Sequence, residues 1–312
     1  MIENVKFAQA MQQYGATINV QLKAPYHNVV PNKPFRREVY LQEQSDNIVS
    51  PANTAVLSVA AYENDSYRKT EVFMRSARKQ NIPLRWLSFR EQWHGFTYHK
   101  LWQFLRQMPY LREQGFRYAF LLDAFDIVFT DDLQTLCDKA NKIYEKGTIL
   151  YNRELTGHIF PYKDEYFTNT ILAEGVHLNA GACFGSLEAF EKVFMLVLEL
   201  QRELMADAPR AGIAEYCMRD RANFYEKLPK FINDDQLLLL MTSLYYPELL
   251  RTDDERYLFA WTQEHSESLA NMRARGNLSG KPNNASIIHS SVTAHSFGVD
   301  YWRNWCQKED LI

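Results

Sequence analysis

Glycine is scarce in this chain, 12 in 312 residues, and none of them falls in a G-x-G-x-x-G or G-x-x-x-x-G-K-[ST] arrangement. Loops of those kinds cradle phosphates with backbone N–H groups at the start of a helix. Their absence excludes a glycine-loop nucleotide cradle, so a phosphate recognised by this chain needs a cation instead. Cysteine is scarce too: Cys137, Cys183, Cys217 and Cys306 are scattered, with no C-x-x-C pair and no histidine at zinc spacing. Reduced thiols in a cytoplasmic protein are expected, with Cys183 a small buried side chain. No stretch approaches the roughly 20 apolar residues that span a bilayer. Met1 to Gly15 mixes acids, amides and Lys6 among its apolar residues, so neither export nor a membrane span is expected. The formal net charge of −3 and a pI near 6.3 show no excess of positive charge. That argues against a protein that grips nucleic acid mainly by its phosphates.

What is present suits a globular α/β protein, since 312 residues with 46% hydrophobic content are enough for one large core or two modest ones. Residues Met1 to Asn53 are rich in Asn and Gln and carry prolines at 26, 31, 34 and 51, which reads as an arm or accessory subdomain before a main domain over 54–312. Ala55 to Ala61 is a compact buried strand. A helix from about Asp65 to Gln80 follows, with Tyr67, Val72, Phe73 and Ala77 as its inner face. Pro83 to Phe89 is a second strand, Gln92 to Phe96 a loop, and Leu101, Phe104, Leu105, Met108 and Leu111 share one face of the next helix. The β-α-β-loop-α-β order predicts a mostly parallel, right-handed wound sheet flanked by helices. Further on, Thr148 to Tyr151 is a strand, and the small residues of Leu178 to Gly185 make a strand that something can approach closely. Ser186 is placed to cap a helix reaching about Leu204, with Phe190, Val193, Phe194 and Val197 inward. Asn233 to Gln236 opens an apolar helix over Leu237 to Tyr245, and Ile287-Ile288-His289 is a short strand that delivers a histidine.

The chemistry concentrates after the third strand. Apolar residues from Tyr118 to Leu122 read as buried, so Asp123 falls at the carboxyl end, where open α/β sheets bind ligands, and Asp126 follows three residues later. Two ionised carboxylates at a buried strand end repel each other and are poorly solvated; a divalent metal or a shared proton must relieve them. With Asp131 and Asp132 next and no basic residue in the run, the metal is the expected answer. A D-x-x-D alone also fits a helix cap or a solvated loop, so the remaining segments decide.

Taken in order, those segments resemble the glycosyltransferase domain of the procollagen lysyl hydroxylases and the related collagen galactosyltransferases. The resemblance runs from about Ala55 to Ser296. It rests on the strand Val56 to Ala61, Tyr67 with Arg75-Ser76-Ala77, Gly95 with Lys100, and Asp123-Ala124-Phe125-Asp126-Ile127-Val128. It continues through Glu154 with Pro161, Leu178-Asn179-Ala180-Gly181, Asp234-Asp235-Gln236 and Ile288-His289.

The resemblance implies a GT-A-like fold, meaning a Rossmann-like, mixed and mostly parallel sheet. It further implies a UDP-sugar donor and a hydroxyl-bearing acceptor. By that pattern Asp123 and Asp126 reach a metal and the ribose, and His289 completes the metal site; an imidazole ligand favours Mn²⁺ over Mg²⁺. Phe125 would stack on uracil, Val59 and Ala61 would touch the uridine through their backbones, and Lys100 would join the donor site. Asn179, Asp234 and Asp235 would face the sugar. Each role has a plain structural counterpart: core packing for Phe125, a hydrogen-bonded core histidine for His289, a helix cap for Asn233 or Asp234. The chain also departs from the pattern. Relatives have an HGNG-like segment and a lysine where His289 to His295 reads His-Ser-Ser-Val-Thr-Ala-His, leaving His295 or Lys281 to meet the diphosphate, and Phe160 stands before Pro161 in place of tryptophan.

The expected function is therefore a metal-dependent transfer from a UDP-sugar to a protein, a glycan or a modified nucleobase, with nucleic acid a partner only as acceptor. A metal phosphoesterase using Asp123, Asp126 and His289 is the alternative enzyme, although few further ligands exist for a second metal. A non-catalytic nucleotide-binding module of the same fold is the third reading, and intact D-x-x-D and D-D-Q segments count against it.

Overall fold

The computed structural model describes residues 48–61, 66–89, 100–153, 178–207, 235–261, 285–289, 299–308 and 310–312. The arm expected over 1–53 therefore lies, up to residue 47, outside the described residues, as do the Gln92 to Phe96 loop, Glu154 and Pro161. The main sheet is built from β1 (Thr54–Ala61), β2 (Leu84–Phe89), β3 (Tyr118–Leu122), β5 (Ile149–Arg153), β6 (Leu178–Ser186) and β7 (Leu250–Thr252), in the spatial order β2-β1-β3-β6-β5-β7. Strands β2, β1 and β3 are mutually parallel, β6 opposes both β3 and β5, and β7 runs with β5. One strand thus runs against the other five. This is the mixed, mostly parallel α/β sheet that the β-α-β order predicts.

The helices pack as the apolar spacing dictates. In α1 (Ser66–Lys79) the side chains Val72, Phe73 and Ala77 are buried, and in α2 (Trp102–Glu113) so are Phe104, Leu105, Met108 and Leu111. Helix α2 stops where Gly115 takes φ +88° and its N–H reaches the carbonyl of Arg112, a left-handed cap that costs glycine nothing. Asp132 caps α3 (Leu133–Ile143) by accepting from the Thr135 N–H at 2.8 Å, which holds its carboxyl below the usual aspartate value. Ser186 caps α4 (Leu187–Asp207) as expected, its Oγ accepting from the Ala189 N–H at 3.1 Å. Phe190, Val193, Phe194 and Val197 of α4 are all buried. Helix α5 (Asp235–Tyr245) carries the buried Leu238, Leu239 and Leu240. Before β1, Val49 is held in the core by both groups of the Asn141 carboxamide, 2.8 Å to its N–H and 2.7 Å to its carbonyl.

A second, three-stranded sheet was not legible in the sequence. Its strands β4 (Ile127–Phe129), β9 (Ile287–His289) and β8 (Phe259–Trp261) lie in the order β4-β9-β8. The apolar residues on either side of Asp123-Ala124-Phe125-Asp126 are thus two strands, β3 and β4, in two sheets. Burial on both faces explains why β4 and β9 show no polar alternation. Ile127, Phe129 and Ile287 face the main core with Phe73, Phe120 and Phe184, while Val128 and Ile288 face Trp302, Trp305 and Cys306 of α6 (Val299–Lys308). Full burial of each such aliphatic or aromatic side chain is worth about 1.5–3 kcal/mol. Asp253 shapes the turn into β8, its carboxylate accepting from the N–H groups of Tyr257, Leu258 and Phe259 at 3.0, 2.6 and 2.8 Å. Cys137, Cys183 and Cys306 are buried free thiols. Among the described residues no helix is long and apolar enough to cross a membrane.

Candidate active site and metal centre

Strand register assembles the site. Strand β3 ends at Leu122, level with Ser58 of β1, so Asp123 emerges at the carboxyl edge of the parallel strands beside Val59. Its N–H is tied to the Gly181 carbonyl at 2.8 Å, which fixes where the connection to β4 begins. Four residues later, β4 pairs antiparallel with β9 so that Ile127 stands opposite His289. The histidine is thereby laid beside Asp126, and its Nε2 lies 3.2 Å from Asp126 Oδ2. Asp123, Asp126 and His289 each offer a ligand atom, and these atoms all lie within 4.8 Å of one another.

Two oxygens and an imidazole nitrogen form a donor set that a divalent ion accepts, the imidazole favouring manganese or later metals over magnesium. The charges agree. Lys100 Nζ sits 2.7 Å from Asp123 Oδ1, 2.9 Å from Asp235 Oδ2 and 3.0 Å from the Ala180 carbonyl. Three carboxylates, Asp123, Asp126 and Asp235, against one ammonium leave an excess of two negative charges. A divalent ion would cancel that excess once His289 is a neutral ligand. The residues present fit a divalent metal.

Lys100 also changes the expectation drawn from the run around Asp123, which holds no basic residue. The cation that relieves Asp123 is Lys100, two residues before α2, far off in sequence and in contact in space. Burial alone would lower the Lys100 ammonium's pKa, but Asp123 and Asp235 outweigh it and raise the value above that of an ordinary lysine. Burial raises the Asp123 carboxyl, with Lys100 opposing. His289 follows the Lys100 pattern: desolvation pulls its pKa down, and the Asp126 carboxylate pulls it further up.

The other expected site residues fall as follows. Asp235 is the first residue of α5 and buried, joined through Lys100 to Asp123. Asn179 is buried, its Oδ1 accepting from the Gly181 N–H at 2.8 Å, and the Gln236 side chain takes the neighbouring Ala180 N–H at 3.2 Å. Phe125 is half-buried with the Lys69 ammonium 5.8 Å from its ring centre. Val59 is buried near the end of β1, and Ala61 closes that strand opposite Phe89. Asp234, His295 and Lys281 lie outside the described residues.

Two features were missed or half-seen in the sequence. Asn152 of β5 is buried, with its Nδ2 3.3 Å from His289 Nδ1, and a lone asparagine in a strand gives no sequence signal. The small-residue strand β6 was expected to admit a close neighbour, and the neighbour is His289. A Cβ built on Gly181 would lie 2.2 Å from the ring's Cε1 and 2.5 Å from its Nε2. A Gly181→Ala variant is therefore expected to lose about 1–3 kcal/mol of stability, as an overpacked core does. It should also displace the imidazole. Urea unfolding together with Mn²⁺ titration measures both effects, and unchanged values would show that the ring has room to move.

No protein-family model matches the chain, and no curated protein matches it. Among solved structures, the chain is similar to a glycosyltransferase involved in the glycosylation of the major capsid of PBCV-1. The match has 10% identity, spans 80% of this chain and 99% of that one, and has a TM-score of 0.39.

Proposed function

We propose that this protein is a metal-dependent glycosyltransferase that moves a sugar from a UDP-sugar to a hydroxyl acceptor in the cytoplasm, with residues 54–312 as the catalytic domain. One observation carries this reading: donors from two sheets, Asp123, Asp126 and His289, converge at the carboxyl edge of the parallel strands, and Lys100 ties Asp235 to the same point. The resemblance to the collagen-type glycosyltransferase domains supports it, because the convergent residues are those that the family's motifs pick out.

The reaction breaks the bond between the anomeric carbon and the diphosphate oxygen and forms one to the acceptor oxygen. Negative charge grows on the leaving diphosphate while positive charge grows on the sugar. A divalent ion held by Asp123, Asp126 and His289 would supply Lewis-acid stabilisation of that leaving group. Lys100 holds Asp123 and Asp235 at fixed separation and brings a positive charge to the diphosphate side. Asp235, with Asp234 and Asn179, holds the sugar hydroxyls or takes the proton of the acceptor hydroxyl. Val59, Ala61 and Phe125 seat the uridine, and His295 or Lys281 meets the diphosphate in place of the family's lysine.

Thermal shift and calorimetry with UDP, Mn²⁺ and both together test the donor class, and a UDP-sugar panel scored for Mn²⁺-dependent hydrolysis identifies the sugar. Binding of UDP that is indifferent to metal would overturn the reading. So would turnover of simple phosphoesters in place of UDP-sugars. Phe125→Leu is expected to raise the donor KM roughly tenfold with kcat near wild type, because base stacking is worth roughly 1–3 kcal/mol and is present equally in ground and transition states. Steady-state kinetics decides, and a kcat loss at unchanged KM would remove Phe125 from the uridine site.

A further inference from the structure

Asn152 stands where the β5–β6 register breaks, the pairing jumping from Tyr151↔Cys183 to Asn152↔Asn179. Irregularities of this kind re-aim side chains next to active sites. Here the side chain is buried and its Nδ2 faces His289 Nδ1 at 3.3 Å, while its Oδ1 accepts no hydrogen bond. A buried carboxamide oxygen without a donor costs about 1–3 kcal/mol and calls for an explanation.

We propose that Asn152 is a positioning residue for His289, its carboxamide serving both tautomers of the ring. This rests on the metal-holding role of His289 proposed above. A neutral imidazole has one N–H. Here Nε2 lies 3.2 Å from Asp126 Oδ2, and a neutral ring whose proton sits on Nε2 leaves Nδ1 to accept from Asn152 Nδ2 at 3.3 Å. When the Nε2 lone pair is given to a cation instead, the ring proton must sit on Nδ1, and an NH₂ group facing it would set donor against donor. Half a turn of the carboxamide about its terminal bond brings Oδ1 to that N–H. The oxygen is free to do so because it leaves no hydrogen bond behind. Asparagine offers a donor and an acceptor at nearly one position; leucine offers neither, and ionised aspartate only the acceptor.

The test is Mn²⁺ affinity, by calorimetry on the full chain, for wild type, Asn152→Leu and Asn152→Asp, each also combined with His289→Ala. Asn152→Leu is expected to weaken Mn²⁺ binding by about 10–100-fold, the usual cost of losing a group that orients a metal-binding histidine. Asn152→Asp should bind at least as tightly as wild type, and neither change should matter once His289 is alanine. Unchanged affinity in Asn152→Leu overturns the inference. Equal losses in both variants overturn it as well, since that is a packing effect. An Asn152→Asp effect that survives without His289 does the same, since that is charge alone. Should Asn152→Leu not fold, Asn152→Asp decides by itself, weaker binding being the overturning result. If wild type takes up no Mn²⁺, or His289→Ala binds as tightly as wild type, the metal reading fails and this inference with it. Loss in His289→Ala with none in Asn152→Leu leaves that reading standing and removes only Asn152.

Discussion

Asp126→Ala is expected to remove metal-dependent UDP binding and to lower donor hydrolysis by ~10²-fold or more, because loss of one metal ligand forfeits several kcal/mol of leaving-group stabilisation. The fold should survive. Asp126 is buried against His289, and the Asp126 carboxylate is what raises the ring's pKa above its ordinary value. Without the carboxylate, desolvation drives the imidazole to its neutral form, so no unpaired charge is left in the core. Strand β3, which leads into Asp123, and the turn into α2, which carries Lys100, are built without contacts to Asp126 in their ladders or helix. Circular dichroism should therefore match wild type while calorimetry with UDP and Mn²⁺ shows no joint binding. A folded Asp126→Ala protein that binds UDP and Mn²⁺ as wild type does would remove the metal from Asp123, Asp126 and His289.

The residues of that prediction show where sequence reading succeeds. Asp123 and Asp126 were legible because a buried strand announces itself by five apolar residues in a row, and acids at its carboxyl end are expensive without a partner. The inner faces of α1, α2 and α4 were legible for the same reason: helical periodicity and burial are one signal. Lys100 was visible as a residue but not as the partner of Asp123 and Asp235, since the contact depends on how α2 and α5 meet the sheet edge. Strand β4 was not legible, because Ile127, Val128 and Phe129 are a short apolar run buried on both faces and nothing marks the passage into a second sheet except the acids before it. His289 was read on its short strand, but its place in the metal site came only through a resemblance, and Asn152 was not reached at all. A three-residue strand and a single asparagine carry too little pattern, and their positions are fixed by the register of β9 on β4 and of β5 on β6.

Asp235→Asn is expected to lower kcat by roughly 10²–10⁴ while UDP still binds with metal, the signature of an interaction expressed in the transition state. Asp235 opens α5 with its carboxylate 2.9 Å from the Lys100 ammonium. A negative charge there suits the helix start as well as the lysine, so the residue has a structural role open to it, worth about 0.3–1 kcal/mol from the helix dipole. Asparagine keeps the shape and an oxygen for Lys100. Asp123, 2.7 Å from the same ammonium, keeps Lys100 charged and in place. The substitution therefore removes what only a carboxylate supplies, namely charge opposite the developing cation on the sugar or a base for the acceptor hydroxyl. If Asp235 serves α5 alone, melting temperature falls slightly and turnover stays near normal. Measuring melting temperature, UDP–Mn²⁺ affinity and donor hydrolysis on that one variant separates the two roles. Normal turnover assigns Asp235 to the helix, and the sugar must then be held by other groups at the sheet edge.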